Sequence, residues 1–144
     1  MRRRKFLTVV FALLLPCWLS AAPASFRFAW LSDTHIGSQT AADDLRAAVR
    51  DINRLPGLSF VLVSGDLTEY GSLEHLSLAR AILGELRIPC YVLPGNHDTK
   101  WSESGATDVA RLWKADRFVF DHGGYRFIGL HQGPLMKMGD GHWA

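Results

Sequence analysis

Residues 88–100 read IPCYVLPGNHDTK, an apolar run that halts at Gly95-Asn96-His97-Asp98. Alone, that tetrapeptide is an ordinary turn, because Gly and Asn tolerate positive φ and Asp favours turn positions. Two earlier stretches close in the same manner. Residues 26–36 read FRFAWLSDTHI and residues 58–71 read LSFVLVSGDLTEYG. Three apolar runs, each ending on small, acidic or imidazole side chains, ask for one explanation.

The segments between them are helical in period. Thr40 offers an N-cap with Asp43 as capping-box partner, followed by Leu45, Ala48, Val49, Ile52 and Leu55 before Pro56-Gly57. Ser72 opens a second helix with Leu76, Ala79, Ile82, Leu83 and Leu86 on one face, and Ile88-Pro89 ends it. Residues 26–31 form an aromatic-rich strand, and residues 58–63 form a near-continuous apolar one, as in a parallel strand buried on both faces. The order β-α-β-α-β predicts an α/β fold with a parallel sheet and right-handed crossovers, in which ligands gather beyond the carboxyl ends of the strands. After Lys100 come a polar loop (101–105), a short helix (106–113) and two strands (118–120 and 125–130) joined at His122-Gly123-Gly124. Residues 132–144 show no period.

All three polar endings therefore reach one edge of the sheet. Asp33 and His35 are two apart and share a side if the chain is still extended there. Gly65 leaves room beside Asp66 for an ion or substrate. Asn96 brings an amide oxygen, His97 an imidazole and Asp98 a carboxylate. This donor set suits Mn, Fe or Zn as divalent cations. Asp-x-His and Gly-Asp alone are weak and GNHD is moderately specific; their shared position at strand ends argues for a metal site.

Asp33-Thr34-His35, Gly65-Asp66 and Gly95-Asn96-His97-Asp98 resemble the first three motifs of the calcineurin-like metallophosphoesterases. The resemblance runs from Phe26 to Leu130. It implies the amino-terminal part of a four-layer α/β/β/α sandwich built on the parallel β-α-β-α-β core, with two metal ions at the strand ends. Asp33 and His35 would hold the first ion, Asp66 would bridge both, and Asn96 would bind the second. His97 would protonate the leaving oxygen and Asp98 would orient His97. The activity implied is hydrolysis of phosphomono- or phosphodiesters by hydroxide activated between two cations, which clamp the phosphoryl oxygens.

The family pattern continues with a later histidine and a Gly-His-x-His segment, which this sequence lacks. His75, in the second helix, reads as solvated; His122, His131 and Gly141-His142 are poor substitutes. The expectation is a domain over 25–144, incomplete at its carboxyl end, inactive as it stands, weak in metal binding and poorly soluble, with Trp30, Trp113 and Trp143 exposed. The alternative is a non-catalytic metal- or phosphate-binding remnant of the same fold. Trp101 has two readings, a stacking platform at the pocket or a residue packed on a helix, and the second is preferred.

Residues 1–24 stand apart. MRRRK, the apolar FLTVVFALLL and PCWLSAAPA have the order of a secretory signal peptide, with an uncleaved anchor as the alternative. Arg3-Arg4-Lys5-Phe6-Leu7 resembles a twin-arginine signal, and a generic basic head is the other reading. Leu14-Leu15-Pro16-Cys17 departs from a lipoprotein box at its proline. The expected location is periplasmic or extracellular, without a stable membrane span after cleavage. Arg2, Arg3, Arg4 and Lys5 supply 4 of the 16 basic residues; the remaining 12 stand against 14 acidic ones, a balance of −2. That balance disfavours nucleic acid as a partner. Cys17 leaves with the signal, so Cys90 stands alone as a buried structural thiol. Substrate and oligomeric state are not legible.

Overall fold

The computed structural model describes residues 24–131 except Glu103 and Ala106, so residues 1–23, read above as an export signal, and Gly141, His142 and Trp143 lie outside the described residues. Strand β1 (Arg27–Leu31) leads into α1 (Ala41–Arg54), β2 (Leu58–Ser64), α2 (Leu73–Leu83) and β3 (Cys90–Leu93). The short α3 (Asn96–Lys100), α4 (Thr107–Trp113), β4 (Phe118–His122) and β5 (Tyr125–Gly129) follow. The first three strands pair in parallel in the order β1-β2-β3, while β4 and β5 form a separate antiparallel pair. Among the described residues no helix is long and apolar enough to cross a membrane.

Strand order determines where everything else sits. Two successive right-handed crossovers in the same direction place α1 and α2 on one face of the sheet. Ala41, Leu45, Val49 and Ile52 of α1 and Leu76, Ala79, Ile82 and Leu83 of α2 bury against Val61, Val63 and Val92 there. The opposite face carries aromatic rings and is covered by the β4–β5 hairpin. Phe60 and Phe120 meet edge to face at 5.0 Å, Tyr91 stacks on Phe120 at 3.8 Å, and Phe120 stacks on Phe127 at 4.9 Å. Gly123 and Gly124, with φ of 58° and 84°, supply the left-handed pair that a tight hairpin turn requires. Helices, parallel sheet and hairpin give the first three layers of the expected sandwich.

Several local expectations need correction. Leu55 is exposed, because as the C-cap before Pro56 it has an extended backbone that turns it off the helical stripe. Thr40 is not a capping-box partner of Asp43; its hydroxyl donates to the Asp44 carboxylate at 2.8 Å. His75 is not solvated: its ring packs against Gly37, and its Nδ1 is buried without a hydrogen-bond partner. Trp30 is exposed as anticipated, Trp101 is 54% exposed and not packed on a helix, and Trp113 packs partly buried against the core. GNHD is a helix start rather than a turn.

The loops at the carboxyl edge are tied together by backbone and by one carboxylate. Residues 33–36 run beside 65–69: Asp33 N–H donates to Gly65 O, His35 N–H to Asp66 O, Ile36 N–H to Leu67 O and Glu69 N–H to Ile36 O, at 2.9–3.2 Å. Ile36 and Leu67 anchor this ribbon with no exposed surface. Asp98, fully buried, accepts from Leu67 N–H and Gly95 N–H on one oxygen and from Thr68 N–H and Thr68 Oγ1 on the other, at 2.9–3.0 Å. Burial pushes its carboxyl above the ordinary value, and these four donors pull against that shift.

Two predictions follow from this packing. Asp98→Ala strands four buried donors and lowers the unfolding free energy in urea by roughly 3–5 kcal/mol. Asp98→Asn, which opposes its amide to two N–H groups, costs about 2 kcal/mol; an alanine variant within 1 kcal/mol of the parent refutes the loop tie. Burial also pushes the Cys90 thiol up to about 11. At pH 8 it reacts slowly with Ellman's reagent in the native chain and at the rate of a free thiol in denaturant.

Candidate metal centre

Each side chain at the edge of the sheet owes its position to an unusual backbone. Asp33, His35 and Asp66 all have positive φ, at 56°, 42° and 47°. Strand β1 ends at Leu31, so the expected extended geometry across Asp33 and His35 does not hold. The left-handed turns still bring the pair together, with His35 Nε2 3.8 Å from Asp33 Oδ1. Asp and His tolerate this region better than most residues, and the cross-loop hydrogen bonds fix them in it.

Gly65 and Gly95 let the second and third loops touch. A Cβ on Gly65 would fall 2.8 Å from Gly95 Cα, and one on Gly95 would fall 2.1 Å from Asp66 Oδ1. The space beside Gly65, read from sequence as room for an ion or substrate, is therefore filled by backbone. That contact delivers His97: its N–H donates to Asp66 Oδ1 at 3.0 Å. His35 and His97 then meet as perpendicular rings with centroids 4.7 Å apart.

Glu69 completes the cluster, and the sequence reading missed it. Its Oε2 lies 3.0 Å from His35 Nδ1, and its backbone carbonyl lies 2.7 Å from His97 Nδ1. A carbonyl only accepts, so His97 carries its proton on Nδ1 and leaves Nε2 free. The tetrapeptide Asp66-Leu67-Thr68-Glu69 held the signal: a second acid in the same polar ending, on the segment that runs alongside residues 33–36.

The role expected for Asp98 is corrected by the same contacts. Its hydrogen bonds go to Leu67, Thr68 and Gly95, and the group that positions the His97 ring is the Glu69 carbonyl. Asp98 acts on the site only through the loops it holds. Asn96, at the first turn of α3, is exposed and free to present its amide outward.

Two overlapping groups could hold a cation: His35, Glu69 and His97, and Asp33, His35 and Asp66, with ligand atoms in each within 4.8 Å of one another. His35 Nδ1 supplies the test of fit. It is buried, close to the Glu69 carboxylate, yet out of line for a hydrogen bond. A ring nitrogen so placed among carboxylates suits a divalent cation, and imidazole with carboxylate suits Mn, Fe or Zn. The other described histidines join neither group: His122 lies edge-on to Phe26, and His131 pairs with Asp116 at 3.4 Å.

Comparison with known proteins agrees with this geometry. Residues 26–141 match the family described as calcineurin-like phosphoesterase. The chain is 41% identical over 81 residues to the glycerophosphodiester phosphodiesterase GpdQ of Enterobacter lignolyticus (strain SCF1), covering 50% of this chain and 29% of that protein. It is 35% identical over 82 residues to the probable cyclic nucleotide phosphodiesterase RPA0124 of Rhodopseudomonas palustris, covering 51% and 30%. It is also 27% identical over 119 residues to the 3',5'-cyclic adenosine monophosphate phosphodiesterase CpdA of Pseudomonas aeruginosa, covering 76% and 43%. The chain thus matches less than half the length of each of these relatives. With three motifs converging at one sheet edge and a match over most of its length, this chain belongs to the calcineurin-like phosphoesterase family.

Proposed function

We propose that this chain carries the first metal-binding loops of a metal-dependent phosphoesterase acting on phosphate diesters or monoesters. The observation that carries the proposal is the convergence of Asp33, His35, Asp66, Glu69 and His97 at the carboxyl edge of one parallel sheet. The three relatives are named as phosphodiesterases, which favours diesters.

Under this proposal Asp33, His35, Asp66 and Asn96 would hold the divalent cations, Asp33 and His35 on one side of Asp66 and Asn96 on the other. Glu69 joins the set beside His35. Divalent cations bound there would lower the pKa of water and offset the charge of phosphoryl oxygens. Everything else is the work of side chains. Asp66 keeps Oδ1 on the His97 amide, leaving Oδ2 as its other donor oxygen. His97, fixed through Nδ1, presents Nε2 toward the departing alkoxide; Nε2 takes up a proton to form the imidazolium and then hands that proton on, while Nδ1–H stays on the Glu69 carbonyl. The Asp98 tie holds both loops still while this happens.

A second reading, a metal- or phosphate-binding module without catalysis, rests on a specific observation: His75, His122 and His131 add no ligand to either group. Calorimetry with Mn²⁺ and hydrolysis of bis(p-nitrophenyl) phosphate separate the two. The catalytic reading expects saturable binding, with turnover once the later histidine motifs are supplied, the second expects binding without turnover even then, and no binding removes both. Glu69→Gln keeps the carbonyl that holds His97 and weakens Mn²⁺ binding about tenfold, near 1.4 kcal/mol. Unchanged affinity in that variant excludes Glu69 from the ligand set.

Export is proposed as well, on the order of basic, apolar and small residues across 1–24. Fractionation of cells expressing the chain is expected to place it outside the cytoplasm, and retention inside would refute the signal.

A further inference from the structure

His75 belongs to neither candidate cation group, and its Nδ1 is buried without a hydrogen-bond partner. A ring nitrogen buried in that way costs free energy that an apolar side chain in its place would not. Leu76, Ala79, Ile82 and Leu83 already supply the buried face of α2, so packing of the helix does not call for an imidazole at 75. What the ring touches gives it a use.

The ring lies against Gly37, where an added Cβ would fall 2.6 Å from Nδ1 and 2.7 Å from Cε1. Gly37 is the third residue of a β-turn that opens at His35, closed by Ser38 N–H on the His35 carbonyl at 3.0 Å. Its φ of 116° has the positive sign that this position of a type II turn requires. His35 is therefore held on both sides, since its own N–H donates to Asp66 O at 3.0 Å. Between them Ile36 has no exposed surface. The imidazole is also rooted: His75 N–H donates to Ser72 Oγ at 3.3 Å, the N-cap bond of α2, and Leu76 next to it is fully buried.

Glycine has more backbone freedom than any other residue, so a turn built on it keeps one shape only when something holds it. Here the ring fills the place where a side chain would stand, and the first turn of α2 backs the ring. We infer that His75 is a positioning residue for the metal centre, whose ring, braced against Gly37, sets the turn that aims His35 at the cation. The effect on affinity rests on the metal-dependent reading, while support of the turn is measurable without metal.

The test is a double-mutant cycle on the full chain, comparing the parent with His75→Ala, Gly37→Ala and the two combined. Calorimetry with Mn²⁺ is expected to show each single variant binding about tenfold more weakly, as for a lost support of a ligating histidine. Removing the ring and pushing it aside break the same contact, so the double variant should match the weaker single one. A double variant that shows the product of the two losses, or a His75→Ala chain with parental affinity, overturns the assignment. Amide hydrogen exchange without metal separates positioning from general destabilisation. In His75→Ala the Ile36 and Ser38 amides are expected to exchange about tenfold faster, with Val49 in α1 unchanged. Equal acceleration at Val49, or unchanged exchange at Ser38, overturns the assignment. Exchange in His75→Ala also decides the matter alone if Gly37→Ala does not fold. If the parent binds no Mn²⁺, the metal-dependent reading fails, and the same exchange measurement still supports or overturns the bracing of the turn.

Discussion

A single buried carboxylate holds the functional edge of this fold together. Asp98 has no exposed surface, and its two oxygens accept four hydrogen bonds from the loops after β2 and before α3. Removing a carboxylate from water costs several kcal/mol unless hydrogen bonds replace its hydration. Here three backbone N–H groups and a hydroxyl do so. The same bonds satisfy donors that the loops themselves leave unpaired, so carboxylate and loops are soluble problems only in combination. Thr68 Oγ1 extends the tie by accepting from Gly71 N–H, which passes the constraint on to Tyr70.

What this rigidity maintains is a backbone that would otherwise relax. Asp33, His35 and Asp66 all occupy the left-handed region, at a cost on the order of 1 kcal/mol or more each. A flexible loop would give that up. The ladder between residues 33–36 and 65–69 prevents it, and the apolar anchors Ile36 and Leu67 lock the ladder to the core. The direct contact of Gly65 and Gly95 then aligns the third loop to the first two. Packing thus flows from a conventional α/β core into a strained edge, with the strain concentrated on the residues that carry the chemistry.

This division explains what the sequence disclosed. Periodicity records burial, and Leu76, Ala79, Ile82 and Leu83 recur on one face because that face meets the sheet. Strand order and the sheet edge follow from such patterns and from crossover handedness. Asp33, His35, Asp66 and His97 were legible because each ends an apolar run. Glu69 was missed although it stands in the same polar ending as Asp66, because its place beside His35 depends on two loops running side by side, a pairing set by backbone hydrogen bonds. Asp98 was legible as important but not in its role: the sequence places it next to His97, whereas the helix turn at Asn96 aims it back toward Gly95 and Leu67. Thr40 and Leu55 show the same limit, since a cap depends on backbone angles that composition does not fix.

The electrostatics of the edge favour a bound cation on grounds independent of family. Asp33 and Asp66 share one group with His35, and Glu69 lies 3.0 Å from the His35 Nδ1, in a chain whose balance beyond the basic head is only −2. Asp33 is well exposed and its charge is screened, but Glu69 and His35 are each less than one-third exposed. Two unit charges 4 Å apart near a protein surface interact by about 4 kcal/mol. Asp33 and Asp66, whose ligand atoms lie within 4.8 Å of each other and of His35, are held there by the loop hydrogen bonds, and a cation between them would be favoured by both charges. Imidazole and carboxylate oxygens select a divalent cation of intermediate hardness, while the thiol of Cys90, neutral within the sheet, plays no part. A cation that binds only the folded loops adds RT ln(1 + [L]/Kd), about 2.7 kcal/mol at a hundredfold excess over Kd. On this argument the proposed ion would ease the repulsion between neighbouring carboxylates, and its binding energy would offset the cost of left-handed turns that the loop hydrogen bonds keep in place.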